Sequence, residues 1–321
     1  MTIVATKRLQ SLTAVSASKH IEPDQAVPGS LSRNPILPRE LLSVAGLDLQ
    51  LSEAQWDQLA REEMASITDA GIRFEALLMA GFAYELAYRS ELLDPRVTYL
   101  LHELGEETRH SRLFLRLLEQ LAPSARNPFT HGLVAKLDAF VTRRALRADI
   151  LFIVFVLAGE EIPDLLQKRF SEHPETDLFL AQVSRYHRAE EARHLAFARL
   201  LLPETWARAG SIERFVVRHV APMIITGLFD SLVHPGVYET VGLPGWKTWR
   251  VVRRLPQRIE LRQQATRPIF RALLEAGIFG SEKSKFPRSW RMLCGIGRRG
   301  SLGGDQRPRP GLPEILRRSF P

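Results

Sequence analysis

A chain of 321 residues, 45% of them hydrophobic and 25% charged, can bury a large core, and its single cysteine excludes an intrachain disulfide. The net charge of +8 raises nucleic acid as a partner, but the excess gathers near the C-terminus, at Lys283, Lys285, Arg288, Arg291, Arg298, Arg299, Arg307, Arg309, Arg317 and Arg318. Lying among Gly and Pro with no nucleic-acid motif, this charge reads as a solvated tail, with an acidic electron-transfer protein as its next best partner. The lone Cys294 fits a reducing, cytoplasmic setting.

In chain order, residues 1–45 open as a stretch rich in Ser, Pro and basic side chains, with no acid before Glu22 and no hydrophobic run of a secretory signal. A disordered leader is expected there, ahead of an organelle transit peptide. Ser52 with Gln55 is a capping-box pattern that opens a helix through Glu75 to about Arg89. Asp94-Pro95 supplies an N-cap and a first-turn proline for a second helix, ending before Pro123. After a loop through Pro128, helical segments run from Leu133 to Phe170. Within them the apolar run Ile150–Gly159 is about half what a bilayer requires, which predicts a buried helix and no membrane span. Pro163 should kink that helix.

Thr176 and Asp177 start the next helix, which should end before Pro203. Ile212–Leu232 and Ile259–Ile278 predict accessory helices around a Pro/Gly connector at 234–245, and 281–321 predicts a basic flexible tail. Strand-like alternation is absent from the central stretch. The expectation is one all-α domain over 46–280.

Two copies of one phrase carry the chemistry: Glu106-Glu107-Thr108-Arg109-His110 and Glu190-Glu191-Ala192-Arg193-His194. Glu75 precedes Glu107 by 32 residues and Glu160 precedes Glu191 by 31, so a helical hairpin repeats. A glutamate and a histidine three residues apart share one helix face and can grip one ion. One carboxylate from each of two helices, with a Glu-x-x-His from each of the other two, is the pattern of ferritin-like di-iron and di-manganese four-helix bundles.

Apolar neighbours place these groups inward. Leu100, Leu104, Glu107, His110 and Phe114 form one stripe; Val183, His187, Glu191, His194, Ala198 and Leu201 form another. Glu75 has Ile72, Leu78, Met79 and Phe82 around it, which with the spacing favours it over Glu85; Glu160 preserves the repeat better than Glu161. Four ionised carboxylates buried without partners would exceed the net stability of a domain, whereas two divalent ions balance them. His187, one turn before Glu191, reads as a third imidazole ligand. Glu103 holds the matching place before Glu107; an extra ligand or an acceptor behind one is open, with a surface position favoured. Asp164, one turn after Glu160, could orient a ligating histidine, and Arg109 and Arg193 either bridge carboxylates on neighbouring helices or form surface pairs.

The stretch Tyr99-Leu100-Leu101-His102-Glu103-Leu104-Gly105-Glu106-Glu107-Thr108-Arg109-His110, the set His187-x-x-x-Glu191-x-x-His194, and Gly159-Glu160-Glu161-Ile162 resemble the p-aminobenzoate N-oxygenase (AurF-like) family of di-iron oxygenases over about residues 50–205. The resemblance implies a ferritin-like four-helix bundle with accessory C-terminal helices. It also implies two iron ions held by Glu75, Glu107, His110, Glu160, His187, Glu191 and His194, and use of O2 on a small substrate, often an aryl amine. The donor types themselves suit Fe or Mn. No Gly-rich dinucleotide fingerprint follows a strand, so electrons should come from a ferredoxin or separate reductase. Assembly as a homodimer is left open.

Overall fold

The computed structural model describes residues 3–19, 21–88, 91–279 and 286–296. Its helices are α1 (Ile3–Ser18), α2 (Pro23–Ala26), α3 (Glu53–Tyr88), α4 (Pro95–Leu121), α5 (Gly132–Ala145), α6 (Asp149–Glu172), α7 (Leu178–Arg208), α8 (Ser211–Phe215), α9 (Ala221–Ser231), α10 (Pro235–Glu239), α11 (Gly245–Val252), α12 (Pro256–Glu275) and α13 (Arg288–Cys294); no strand occurs among the described residues. Helix α3 packs along α4 and α6 along α7, and contacts α4–α7 and α3–α6 join the pairs into a four-helix bundle.

Local chemistry sets the ends. Gln55 N–H donates to Ser52 Oγ while Gln55 Oε1 accepts from Ser52 N–H, so the capping box opens α3 as the sequence predicts. Asp94 accepts from Arg96 N–H at the start of α4, and Ala122 closes that helix in a left-handed conformation with φ 47°. Two glycines let α3 and α6 approach closely. A Cβ on Gly81 would collide with the Phe152 ring, and one on Gly159 with the Phe74 ring. Phe82 meets Phe152 edge-on with centroids 5.3 Å apart, and Phe74 lies 5.0 Å from Phe155, so the space above both glycines is filled by aromatic rings.

Several boundaries differ from expectation. The segment expected as a disordered leader contains α1, which packs on α4 and α7 with Leu9 and Ser16 buried. Ser, Pro and basic composition hid a short helical stripe of Leu9, Leu12 and Ser16. The strand of chain after it is pinned as well: Asp177 Oδ2 accepts from Ser32 N–H at 2.9 Å and Arg33 N–H at 2.8 Å, and Ile36, Leu37, Leu42 and Val44 are buried. Helix α7 does not stop before Pro203 but continues to Arg208; the missing donor costs one bond in a turn anchored by buried Leu202 and Thr205. Helix α6 runs through Pro163 to Glu172, in keeping with the helical stretch that the sequence predicts up to Phe170.

At the other end, α8 and α9 are joined by a π-helical turn, Val216–Val220, just ahead of Pro222, whose ring and absent N–H disfavour ordinary α-helical pairing there. The connector at 234–245 contains α10. The expected flexible tail is corrected over Arg288–Cys294, where α13 sits with Trp290 and Cys294 fully buried and the Trp290 indole donates to Val217 O at 3.0 Å. One tryptophan anchoring a single turn leaves no periodic pattern to read. Of the tail's cations, Arg288 and Arg291 lie on α13 and the others lie outside the described residues. Ser211–Glu239 is the one segment among the described residues long and apolar enough to cross a membrane; its Val217, Ile225, Phe229, Val237 and Tyr238 are buried in the fold.

Candidate metal centre

The four bundle helices bring seven predicted residues into one cluster. A ligand atom from each of Glu75, His110, His187 and Glu191 lies within 4.8 Å of the others; the same holds for Glu75, Glu107 and Glu160, and for Glu103, Glu107 and His194. His110 and His194 have 0% exposure, and the glutamates at 75, 103, 107, 160 and 191 have at most 1%.

The two repeated motifs face each other. His110 Nδ1 lies 3.2 Å from Glu107 Oε2 and 3.0 Å from Glu191 Oε1; His194 Nδ1 lies 3.1 Å from Glu107 Oε1 and 2.9 Å from Glu191 Oε2. Each of these carboxylates thus turns one oxygen to each imidazole, so that either could be shared by two ions. Donors at right angles, each about 2.1 Å from a common ion, would stand about 3 Å apart. His187 Nε2 completes the first side, 3.0 Å from Glu75 Oε1 and 3.5 Å from Glu191 Oε1, with Phe114 packed against its ring at 4.7 Å between centroids.

The outer ring nitrogens are held crosswise. His194 Nε2 meets Glu106 Oε2 at 2.7 Å, and His110 Nε2 meets Glu190 Oε2 at 3.0 Å, so each motif's first glutamate grips the other motif's histidine. Arg193 donates to Glu106 at 2.8 Å, and Arg109 lies 3.5 Å from Glu190. The arginines therefore join α4 to α7; neither is a surface pair. Ionised Glu106 and Glu190 accepting at Nε2–H direct the Nδ1 lone pairs toward the centre. The sequence reading missed both. Their signal was the repetition of the whole Glu-Glu-x-Arg-His phrase, of which the helical stripe explains only the second glutamate and the histidine.

Two further placements are corrections. Asp164 does not orient a histidine: it accepts from Arg188 at 2.8 Å and is half-buried, while His187 Nδ1 pairs with Gln167 Oε1 at 2.9 Å. On an ideal helix Gln167 falls about 20° from the direction of Glu160 and Asp164 about 40°, and Gln167 stands level with His187. Glu103 is buried, against the favoured surface position. Glu161 turns from the cluster to pair with Arg199.

The charges are those that divalent cations would balance. Burial, reinforced by neighbouring carboxylates, pushes Glu75 and Glu160 well above the ordinary carboxylate range, and burial pushes Glu103 to about 8. Burial and the Glu191 charge oppose ionisation of Glu107, yet the His194 and His110 rings hold it down to about 2. His110 and His194 are lifted well above the imidazole range against their own burial by the surrounding carboxylates, whereas burial and the nearby His110 hold His187 down at about 4. Metal uptake at such groups would release protons.

Other buried glutamates supply the comparison that tests the fit. Glu62 accepts from Ser124 N–H at 2.8 Å and Ala125 N–H at 3.1 Å, and Glu63 from Ser43 N–H at 2.8 Å. Glu75 Oε2 and both oxygens of Glu103 and of Glu160 have no hydrogen-bond partner among the described residues. Buried acceptors left without donors cost about 1–3 kcal/mol each, more when charged, unless something binds them. The donor set fits two divalent ions of the iron or manganese kind.

A four-helix bundle with this centre is the architecture of a ferritin-like di-metal protein. The family model for p-aminobenzoate N-oxygenase AurF matches residues 5–277, and the chain belongs to that family. Uncharacterized proteins of Mycobacterium bovis and Mycobacterium tuberculosis are 27% identical to it over 191 residues, 58% of this chain and 52% of theirs. The chain therefore spans about half the length of the curated relatives it matches. No solved structure matches it.

Proposed function

We propose that the chain is a non-haem di-iron monooxygenase that uses O2 to N-oxygenate, or hydroxylate, a small aromatic amine. The observation that carries this reading is the placement of Glu107 and Glu191, each turning one oxygen to His110 and one to His194. Glu75, Glu107, His110, Glu160, His187, Glu191 and His194 would hold the ions. Two bound irons would supply the redox chemistry that O2 activation requires, which zinc in the same donors would not. Membership of the N-oxygenase family supports the same reaction class.

The protein's own groups do the rest. Glu106 and Glu190 fix the tautomers of His194 and His110, Gln167 orients the His187 ring, and Arg109 and Arg193 balance the buttressing charges. Phe114 packs against the His187 ring and would offer an aryl substrate an aromatic surface beside the centre. Electrons would come from a ferredoxin or reductase, in a cytoplasmic setting. A second reading, another ferritin-like di-iron or di-manganese redox activity such as that of a desaturase, a catalase or a ferroxidase, shares the cluster; the third imidazole speaks against it by family analogy alone.

Metal analysis of the purified protein, mixing of its anaerobic ferrous form with O2, and mass spectrometry of a panel of aryl amines turned over with reductant test the proposal together. It expects about two irons per chain, a transient visible chromophore and an oxygenated amine. Colourless protein holding only zinc would sink it.

A further inference from the structure

Glu103 occupies on α4 the place that His187 occupies on α7, one turn ahead of the bridging glutamate. It is 1% exposed, and neither carboxylate oxygen has a hydrogen-bond partner among the described residues. Glu103 Oε1 stands 4.0 Å from His194 Nδ1, too far for a hydrogen bond, while one of its oxygens shares a 4.8 Å cluster with donors of Glu107 and His194. Buried Glu62, Glu63 and Glu106 all have protein donors. Glu103 resembles instead Glu160, whose two oxygens are equally without partners.

The two sides of the centre also differ in supply. Among the described residues, His110 has His187 and Glu75 beside it in one cluster of four donors, and His194 has Glu103 beside it in a cluster completed by the shared Glu107. We propose that Glu103 is a direct ligand of the ion held by His194, so that one ion has two imidazoles and the other a single imidazole with an additional carboxylate. The oxygen-rich position suits a hard cation such as Mn(II) or iron, and the fifth carboxylate leaves one negative charge over two divalent ions, which favours a trivalent state there. This rests on the metal-centre reading above but adds a residue and an asymmetry that reading does not contain.

The test is equilibrium dialysis of chelator-stripped full-length protein against Mn(II) under anaerobic conditions, with metal counted by mass spectrometry, and Mössbauer spectra of the protein loaded with iron-57 as Fe(II). Wild type should take up two ions and show two unequal iron environments. Glu103→Gln should weaken one ion more than about tenfold and leave the other unchanged. Glu103→His should restore two ions and bring the iron environments closer together.

Metal-free Glu103→Gln should unfold no more easily than metal-free wild type, because a neutral amide replaces an unpartnered buried carboxyl. Unchanged Mn(II) affinities in Glu103→Gln, or loss of stability in that variant with and without metal, would overturn the assignment while leaving the metal centre standing. Failure of wild type itself to bind two ions would overturn both.

Discussion

Glu106→Gln tests the crosswise support of the centre. Burial opposes ionisation of Glu106, but the His194 ring and Arg193 hold its carboxyl down to about 2, so it is ionised at working pH. It accepts from His194 Nε2 at 2.7 Å and from Arg193 at 2.8 Å. Glutamine keeps the shape but offers a single acceptor oxygen, turns an NH2 toward one of these donors, and removes the charge that makes His194 a stronger ligand. Loss of such a partner lowers metal affinity by roughly 10–100-fold, or about 1.4–2.7 kcal/mol.

The affected ion is the one at His194, although Glu106 lies on α4 and His194 on α7. Anaerobic competition for Mn(II) against a chromophoric chelator measures both affinities. Combined with His194→Ala, Glu106→Gln should add little; combined with His110→Ala, its effect should add in full. Unchanged affinity in Glu106→Gln, or weakening confined to the His110 ion, would refute the crosswise arrangement.

Three other outcomes are expected. His187→Ala should weaken one ion more than about tenfold and abolish oxygen transfer with helicity by circular dichroism intact; unchanged turnover would remove His187 from the site. Gly159→Ala should destabilise the fold by roughly 1–3 kcal/mol in denaturant titration, because the added methyl collides with Phe74 across the α3–α6 contact. Burial raises Glu63 to about 7 despite its bonds from Ser43. A raised folded-state pKa means that its contribution is fully present below the unfolded value near 4.5 and is lost as pH rises through about 7. Wild type should therefore lose on the order of 3 kcal/mol across that window relative to Glu63→Gln, measured at equal metal loading; parallel profiles would count against it.

Much of the bundle was legible because its signals are local: Ser52 and Gln55 cap α3, Asp94 and Pro95 start α4, and Asp177 accepts from Phe179 and Leu180 to start α7. Helical spacing alone pointed Glu107, His110, Glu191 and His194 to one side of each helix. What it could not give was contact across helices. Glu106 and Glu190 sit about 100° off those stripes and reach inward only because the partner helix presents a histidine there. The exchange of Asp164 for Gln167 has the same origin, since the level of His187 along α6 is set by packing between α6 and α7. Helices α1 and α13 escaped notice because each is fixed by a few side chains, Leu9 and Ser16 in one and Trp290 in the other, within segments whose overall composition is that of solvated chain.

Because Glu106 serves His194 and Glu190 serves His110, neither hairpin can finish its own half of the centre. A single ancestral hairpin could have assembled the same arrangement only by self-association about a two-fold axis, each copy lending its glutamate to the other's imidazole. Such a symmetric pair is bound to carry identical residues ahead of both bridging carboxylates. Within one polypeptide the two positions are free to differ, and Glu103 and His187 do.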